Sequence, residues 1–549
     1  MAIILGGALT LFIDAFIILT IATPVIILGN LACRLSSDAS LSKNLPWAGV
    51  VSAGPLARAR ATLASFLGME ALITEGYNKY SKNGRVYVLP HILTGPEVVV
   101  PMSQARWLAE QPAHVLDQTE VNRQFLEADH TFLHRNIVRE PVHPGVIRRE
   151  LTHKLAGFTG DIIDELEKAL VENWGTNTED WREIRVYDTM LDVITRLSTR
   201  VFVGEELCRN KEFSQAARTF DKNVVVSAAA LNLLPGFLKP IMGPILSAYD
   251  HLQYLKMAKY VVPLIKERLA LVGQAEKFPF LQGKPRDDYI QWAIDHGRAH
   301  HDPLELTPSV IARRLACLCF AAIQSSVISL TNCLFDIAAS RSCSDDLAAM
   351  RDEVLFEISP DTLASDAHDI SSMWSKAALA RMTRVDSALR ESMRLNGFVA
   401  RGIMKLVVAP GGVTLPDGTH IPRGTKVGVQ AYSVHRDEDI YPDAERYNAF
   451  RFCPTRYEGS VGGDGAQEKA RTTAPHALVT TSPTFLAFSH GPNACPGRFF
   501  AANQLKLALA HIALHYEIEP IARRPENKWF VGSMAPPMWE TLRVRRRKT

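Results

Sequence analysis

The sequence lacks the cysteine spacing C-x-x-C that is typical of zinc and iron–sulfur sites, and it lacks any N-x-S/T sequon. Its eight cysteines are scattered, which suits a reducing compartment better than a disulfide-stapled secreted domain. An excess of one charge is also missing, since 61 basic residues oppose 58 acidic residues and leave a net charge of +3. This balance gives no indication of a nucleic-acid partner.

Positive charge is concentrated only at the C-terminus, in the heptapeptide RVRRRKT. Five of its side chains are basic: Arg543, Arg545, Arg546, Arg547 and Lys548. Runs of like charge repel one another and commonly form solvated faces or tails. We therefore predict a solvated tail at this end of the chain.

A long apolar run occupies the N-terminus, where residues 2–32 contain one charged residue, Asp14. About 20 helical residues suffice to cross a bilayer. A cleaved signal peptide needs a basic n-region and a shorter apolar core, but the first basic residue here is Arg34. We predict a single-pass anchor at 1–33, a hinge at 34–49 and one large cytosolic domain at 50–549.

Helical spacing dominates the sequence from about residue 50 to 400, whereas residues 400–435 alternate as strands with turns at Asp417-Gly418 and Pro422-Arg423-Gly424. A Gly- and polar-rich segment at 458–475 is predicted to be a surface loop. The expected fold is therefore mainly α, of the α+β class, with small β-sheets.

The stretch FSHGPNACPGRFF, residues 488–500, places Cys495 in a constrained loop before a run that we predict to be an amphipathic helix from about 498 to 514. Gly491 and Gly497 permit tight backbone turns and close approach of a flat ligand. The free N–H groups and dipole at the helix start would favour the thiolate, which is a soft ligand for iron. A buried structural cysteine in a turn is the alternative.

The loop resembles the haem-binding loop of cytochrome P450 enzymes, with Phe488, Gly491, Cys495 and Gly497 at the matching positions. The similarity is greatest to filamentous-fungal microsomal members and covers roughly residues 45–549. It implies haem b, with its iron held by the Cys495 thiolate. The family usually has Arg or His where this chain has Asn493, so contact with a haem propionate is expected to be weaker there or supplied elsewhere.

Further motifs follow in the order that the resemblance requires. Glu391 and Arg394 form an E-x-x-R pair on one helix face, and Arg451 would join them in a structural triad behind the haem. Basic residues that could contact a propionate are Arg148, or alternatively Arg401 or Lys405.

A helix predicted over residues 307–341 would lie across the haem, with Thr307 as its N-cap and Pro308 in its first turn. Gln324 replaces the family's acid, and Ser325 replaces its threonine. Ser325 can donate and accept hydrogen bonds, whereas Gln324 can orient water but cannot ionise. The candidates for an apolar substrate pocket are Phe320, Ala321, Ile323, Phe398, Val399, Ala400, Met534, Ala535 and Pro536.

The resemblance implies a monooxygenase that inserts one oxygen atom of O2 into a lipophilic small molecule. A terpenoid-derived intermediate of fungal secondary metabolism is the expected substrate. Electrons would come from NADPH through a separate NADPH–cytochrome P450 reductase at the endoplasmic reticulum membrane, because the sequence has no flavin or nicotinamide motif. The alternatives are a haem-thiolate isomerase, dehydratase or desaturase that inserts no oxygen, and a non-catalytic membrane-anchored haem protein.

Overall fold

The computed structural model of the chain describes residues 29, 41, 45–50, 55–132, 134, 136–277, 287–358, 374–454, 476–530 and 532–548. The predicted anchor, apart from Gly29, and the predicted loop at 458–475 lie outside the described residues. Helices dominate the remainder and small sheets lie beside them, so the predicted mainly α fold is confirmed.

The long helices that form the body of the protein are Thr159–Trp174, Val186–Val203, Lys211–Asn232, Ala248–Lys277, Pro308–Ala338, Cys343–Glu357, Thr383–Asn396 and Arg498–His515. Shorter helices are Pro55–Ala64, Met69–Lys79, Ala105–Glu110, Gln118–Phe125, Ala128–Thr131, Asn136–Arg139, His143–Val146, Thr152–Lys154, Glu205–Cys208, Lys239–Leu246, Tyr289–Ala299, Lys376–Arg381 and Ala431–Val434. One π-helical segment, Ile147–Leu151, and three short 3-10 segments, Ser81–Asn83, Met102–Gln104 and Leu155–Phe158, complete the helical structure that is described.

The central element is the helix Pro308–Ala338, called the long helix below. It begins with a proline, as predicted, but the Thr307 hydroxyl donates to the carbonyl of Pro303 at 3.1 Å and makes no side-chain cap. Within the described part of the chain, it is the one helix apolar and long enough to cross a membrane. Because 72% of its most apolar stretch is buried inside the protein, it is a core helix.

The helix Arg498–His515 follows the Cys495 loop, close to the predicted bounds. The predicted amphipathic character is wrong, because the helix is buried on nearly all sides, polar Gln504 and Lys506 included. It packs against Cys343–Glu357 and Thr383–Asn396. A helix surrounded in this way needs partners for its polar groups, and Lys506 finds one in Asp386 at 2.9 Å.

The largest sheet has five strands in the spatial order Tyr87–Leu89, Glu97–Val99, Lys426–Gln430, Arg401–Val407 and Leu116–Asp117. Its neighbouring strands are antiparallel, except that Glu97–Val99 runs parallel to Lys426–Gln430. Two hairpins pair Val413–Thr414 with His420–Ile421 and Lys528–Phe530 with Ser533–Ala535. The predicted turns between the strands of 400–435 are present, with Gly418 and Gly424 at positive φ.

The predicted solvated tail is wrong, because Thr541–Arg546 is the central strand of a three-stranded sheet between Arg182–Arg185 and Tyr516–Ile518. Strand alternation explains how so basic a segment folds. Val544 is buried, whereas Arg543 and Arg545 point to the other face and pair with glutamates at 2.9 and 2.6 Å.

The part of the predicted hinge that the structure describes, residues 41 and 45–49, packs against the large sheet. Trp47 and Ala48 are buried, and Ala48 donates its N–H to the carbonyl of Val88 at 3.0 Å. Arg58 lies over the Trp47 ring at 4.9 Å, which adds a cation–π contact.

Candidate active site

The loop before the helix Arg498–His515 closes on itself through backbone hydrogen bonds. Cys495 donates its N–H to the carbonyl of Phe488 at 2.9 Å, and Ala494 donates to Gly491 at 3.0 Å. Gly491 has a φ of +81°, and a Cβ there would lie 2.8 Å from the Cβ of Ala109. Glycine is therefore required at this position by both backbone conformation and space.

The Cys495 sulfur lies at the start of that helix, where the backbone N–H groups of Gly497 and Arg498 donate to it. Burial nevertheless raises the pKa of the thiol, and the donors and the charge of Arg498 offset this only in part. The expectation that the loop alone favours the thiolate is therefore wrong. A cation at the sulfur would supply the missing stabilisation.

An ion-pair triad lies in the core behind this loop. The fully buried carboxylate of Glu391 accepts two hydrogen bonds from Arg394, at 2.8 and 2.9 Å, and a third from Arg451 Nε at 2.8 Å. Arg394 and Arg451 also donate to backbone carbonyls, including that of His435. The three residues that we predicted from distant parts of the sequence do lie together.

His435 connects the triad to the Cys495 loop, a role that the sequence analysis missed. Its Nε2 accepts the N–H of Leu486 at 2.9 Å, so its Nδ1 carries the proton and donates to the carbonyl of Arg394 at 3.0 Å. Burial lowers the pKa of His435 to about 3, which keeps the imidazole neutral. Leu486 lies two positions before Phe488, where the loop begins, and the ring of His435 stacks on Phe485.

Accessible side chains interrupt the buried surface of the long helix at its centre. Ala321 is exposed and Ser325 partly exposed, although Ile323 and Ser326 on either side are buried. Residues four positions apart lie on the same helix face, so Ala321 and Ser325 form one accessible patch on that face, called the opening below. Ile323 is thus a core residue, which corrects its prediction as a pocket residue.

The polar residues at this opening are already hydrogen-bonded within the protein. The Ser325 hydroxyl donates to the carbonyl of Ala321 at 3.1 Å and keeps its lone pairs free. Gln324 bonds through its side-chain amide to the hydroxyl of Tyr187, on the neighbouring helix Val186–Val203. Phe320 packs edge-on against Phe132 at 5.6 Å. Tyr187 was not anticipated from the sequence.

Other predicted pocket residues meet at a junction of two segments. Met534 donates its N–H to the carbonyl of Phe398 at 3.1 Å, and Val399 pairs with Ser533. Val399 is 43% exposed, but the Met534 side chain packs with Ala400 in a separate buried cluster. We therefore no longer expect Met534 to line a pocket, because strand alternation turns its side chain away from that of its neighbours.

The chain matches the family model described as Cytochrome P450 over residues 113–537. It belongs to the cytochrome P450 family. Three fungal relatives are named cytochrome P450 monooxygenases. The relative polB of Polytolypa hystricis is 31% identical, over 89% of this chain and 91% of the relative. Monooxygenase 151 of Postia placenta is 32% identical, over 89% of this chain and 93% of the relative. The relative gloP of Glarea lozoyensis is 28% identical, over 97% of this chain and 96% of the relative.

The fold is also that of a solved cytochrome P450 structure. The retinoic acid-bound cyanobacterial protein CYP120A1 superposes with a TM-score of 0.61 at 17% identity. The superposition covers 92% of this chain and 98% of the cyanobacterial chain. The family carries haem with an axial cysteine thiolate, receives electrons from a redox partner and acts as a monooxygenase.

The residues around Cys495 in this cytochrome P450 fit a haem. Cys495 is partly exposed as a residue, and the N–H groups of Gly497 and Arg498 donate to its sulfur. Beside Gly497 the space is open, since a Cβ there would meet nothing within 4 Å. The opening at Ala321 and Ser325 adds room in an otherwise packed helix.

The residues predicted to contact a haem propionate lie in different environments in this cytochrome P450. Lys405 is fully buried and donates to the carbonyls of Ala109 and Gln111 at 2.9 and 2.8 Å, so the prediction that it contacts a propionate is wrong. Its ammonium instead holds the end of the helix that packs on Gly491.

Arg401 pairs with the buried carboxylate of Glu97 at 2.6 Å. Arg148 is exposed on the π-helical segment Ile147–Leu151, and Asn493 is exposed in the cysteine loop. Their contacts with a propionate stay predictions.

We expect His435→Phe to destabilise the protein and to lower its haem content. Phenylalanine keeps the ring against Phe485 but leaves two buried backbone groups unpaired, at a cost of about 1–3 kcal/mol each. The measurements are urea unfolding and the haem-to-protein ratio.

The matched control is His476→Phe, because His476 is an exposed histidine that also contacts an aromatic ring, that of Phe452. Normal haem content in the His435→Phe protein would contradict a role for this link in holding the loop.

Proposed function

We propose that this chain is a membrane-bound monooxygenase that inserts one oxygen atom of O2 into a lipophilic, terpenoid-derived intermediate of fungal secondary metabolism, with Cys495 as the ligand of the haem iron. The observation that carries the proposal is Cys495, a partly buried residue in a closed loop at the start of Arg498–His515, where two backbone N–H groups favour its thiolate. Bound there, thiolate-held haem supplies the chemistry that cleaves the O–O bond of reduced O2 and inserts an oxygen atom.

The residues of the chain have separate tasks in this proposal. Ser325 accepts a hydrogen bond from water at the opening; when its hydroxyl turns away from the carbonyl of Ala321, it gives its own proton onward and takes a replacement proton from that water. Gln324 orients that water, because an amide cannot ionise. Phe320, Ala321 and Val399 present apolar surface to a substrate and keep bulk water away from the reaction. Glu391, Arg394 and Arg451 hold the fold and take no part in the chemistry.

We expect Cys495→Ser to abolish the long-wavelength band that thiolate-ligated haem gives in the reduced carbon monoxide difference spectrum. A serine hydroxyl is a far poorer ligand for iron than a thiolate. The measurement uses microsomes that contain the full-length chain.

Cys453→Ser is the control, because Cys453 is another half-buried thiol and donates to the carbonyl of Thr383, a bond that serine can replace. A full band in the Cys495→Ser protein would refute the proposed ligand. Loss of the band in both variants would indicate a general folding defect.

The substrate class rests on the apolar side chains at the opening and on the resemblance to fungal enzymes. A rigid polycyclic hydrocarbon offers few hydrogen-bonding groups, and binding to such a surface is governed by apolar area. Electrons are proposed to come from NADPH through NADPH–cytochrome P450 reductase.

Oxygen insertion distinguishes this proposal from the alternative of an isomerase, dehydratase or desaturase. That alternative is retained because Gln324 and Ser325 include no ionisable acid. We expect products formed under ¹⁸O2, with reductase and NADPH, to carry one labelled oxygen atom. The measurement is mass spectrometry of terpenoid substrates screened with the holoenzyme. A product that forms without label, while the thiolate band is normal, would favour the alternative.

Membrane attachment is proposed through the N-terminal anchor at 1–33, with the main domain on the cytosolic side of the endoplasmic reticulum. Apolar side chains that are more than half exposed support further contact with lipid: Leu56, Leu67, Val226, Phe237, Ile241 and Ile245. Exposed apolar groups gain free energy when they leave water for the bilayer interface.

We expect deletion of residues 1–33 to move part of the protein from the membrane pellet to the supernatant. The remaining part should be released by adding Phe237→Ser and Ile241→Ser, which remove exposed apolar surface. Sedimentation of microsomes followed by immunoblotting measures the distribution.

Leu355→Ser is the control, because Leu355 is an exposed leucine on Cys343–Glu357. Unchanged sedimentation after the deletion would contradict the anchor. Complete release by the deletion alone would contradict the added contact with lipid.

A further inference from the structure

The hydrogen bond between Gln324 and Tyr187 joins two helices at the opening of the candidate active site. The amide nitrogen of Gln324 donates to the Tyr187 oxygen at 2.9 Å, and the Tyr187 hydroxyl donates to the amide oxygen at 3.3 Å. In the shorter of the two contacts, the amide is the donor. Its two partners are 137 residues apart in the sequence.

Tyr187 is held firmly by its surroundings. It lies in the first turn of Val186–Val203 and is only 1% exposed, and the ammonium of Lys222 lies 5.4 Å from its ring centroid. A buried ring with two side-chain torsions offers a fixed anchor for a hydrogen-bonding partner. Gln324, by contrast, has a long side chain that loses considerable rotamer entropy when it is fixed.

Helix geometry places Gln324 between the packed face and the accessible face of the long helix. At about 100° per residue, its side chain points roughly 60° away from Ala321 and roughly 100° away from Ser325. Gln324 is half-buried, as this position requires. Without Tyr187, the amide could rotate and present either its donor or its acceptor to water at the opening.

The surroundings of Tyr187 keep this link neutral. Burial raises the pKa of its phenol to about 12. The nearby carboxyl of Asp221 is fully buried with no hydrogen-bond partner among the described residues, and burial raises its pKa well above the usual range. Lys222 and Asp188 are the other charged groups near the phenol. The hydroxyl therefore keeps its proton and holds Gln324 by geometry rather than by charge.

We propose that Tyr187 is a positioning residue for proton delivery, which holds the Gln324 amide so that Gln324 and Ser325 together orient the water at the opening. The inference rests on the proposed monooxygenase function and adds a residue from a second helix to it. In this arrangement, a rigid amide–phenol pair takes the place of an ionisable acid on the long helix. Loss of the phenol hydroxyl then leaves the water less well oriented, without changing the net charge of the site.

The test uses carbon monoxide as a probe of the opening in the haem-loaded, full-length protein. The C–O stretching band in the infrared spectrum responds to polar groups near the bound probe. We expect Tyr187→Phe to shift or split this band, because the released amide takes more than one orientation. Gln324→Leu should also alter the band, and it keeps the inference testable if Tyr187→Phe folds poorly.

Tyr289→Phe is the matched control. Tyr289 is a second fully buried tyrosine that packs near the long helix, and its hydroxyl has no hydrogen-bond partner in the part of the chain that is described. Removal of this hydroxyl should leave the C–O band unchanged. A change as large as that of Tyr187→Phe would overturn the inference, since it would show that any buried phenol affects the probe.

A second readout is the hydrogen peroxide released per NADPH in the presence of reductase. We expect Tyr187→Phe to raise this ratio by up to about fivefold, the factor that corresponds to the net contribution of one neutral hydrogen bond. In a Gln324→Leu background, Tyr187→Phe should add nothing, because the residue acts through Gln324. An additive effect in the double variant would overturn the inference.

The spectra also separate failure of this inference from failure of the proposed function. A normal thiolate band in all variants with an unchanged C–O band in Tyr187→Phe would overturn the role of Tyr187 and leave the proposed function intact. Absence of the thiolate band from the unmodified chain would refute the proposed function itself, and the positioning role with it.

Discussion

The carboxylate of Glu391 is the group on which the arrangement of the site depends. It is completely buried and shared by two guanidinium groups, Arg394 from its own helix and Arg451 from a distant loop. Removing one partner from such a group typically costs about 3–5 kcal/mol, because a charge would be left unpaired in the core. The segments that carry these side chains are therefore fixed relative to each other. His435 extends this constraint to Leu486, and so to the loop that presents Cys495.

Two opposing electrostatic effects act on the pKa of the Cys495 thiol. Dense protein around the sulfur disfavours the thiolate, while the N–H groups of Gly497 and Arg498 favour it. Burial outweighs the donors in the protein alone, and binding of an iron cation would reverse the balance. A loop built in this way is better suited to hold a metal than to act as a free nucleophile, which agrees with membership of the cytochrome P450 family.

Much of the site could be predicted because its motifs are local. The spacing of Phe488, Gly491, Cys495 and Gly497 encodes a tight loop, and the i, i+3 spacing of Glu391 and Arg394 encodes a pair on one helix face. The direction of single side chains was harder to predict. Met534, Ile323 and Lys405 were expected at a ligand, but they pack into the core or bind carbonyl groups instead. Which face of a strand or helix meets a cavity depends on neighbours that come from elsewhere in the chain.

The sequence by itself determined the helical class, the short strands of 401–430 and the position of one thiol at a helix start, since each depends on residues a few positions apart. Only the tertiary structure decided that His435 would bridge the triad and the loop, that Tyr187 would hold Gln324, and that a basic C-terminus would become a central strand. The side-chain hydrogen bonds of His435 and Tyr187 join residues that are at least 41 positions apart in the sequence. A hydrogen bond between distant residues forms when packing brings donor and acceptor together and excludes water from both. Such packing cannot be predicted from the residues next to either group in the sequence.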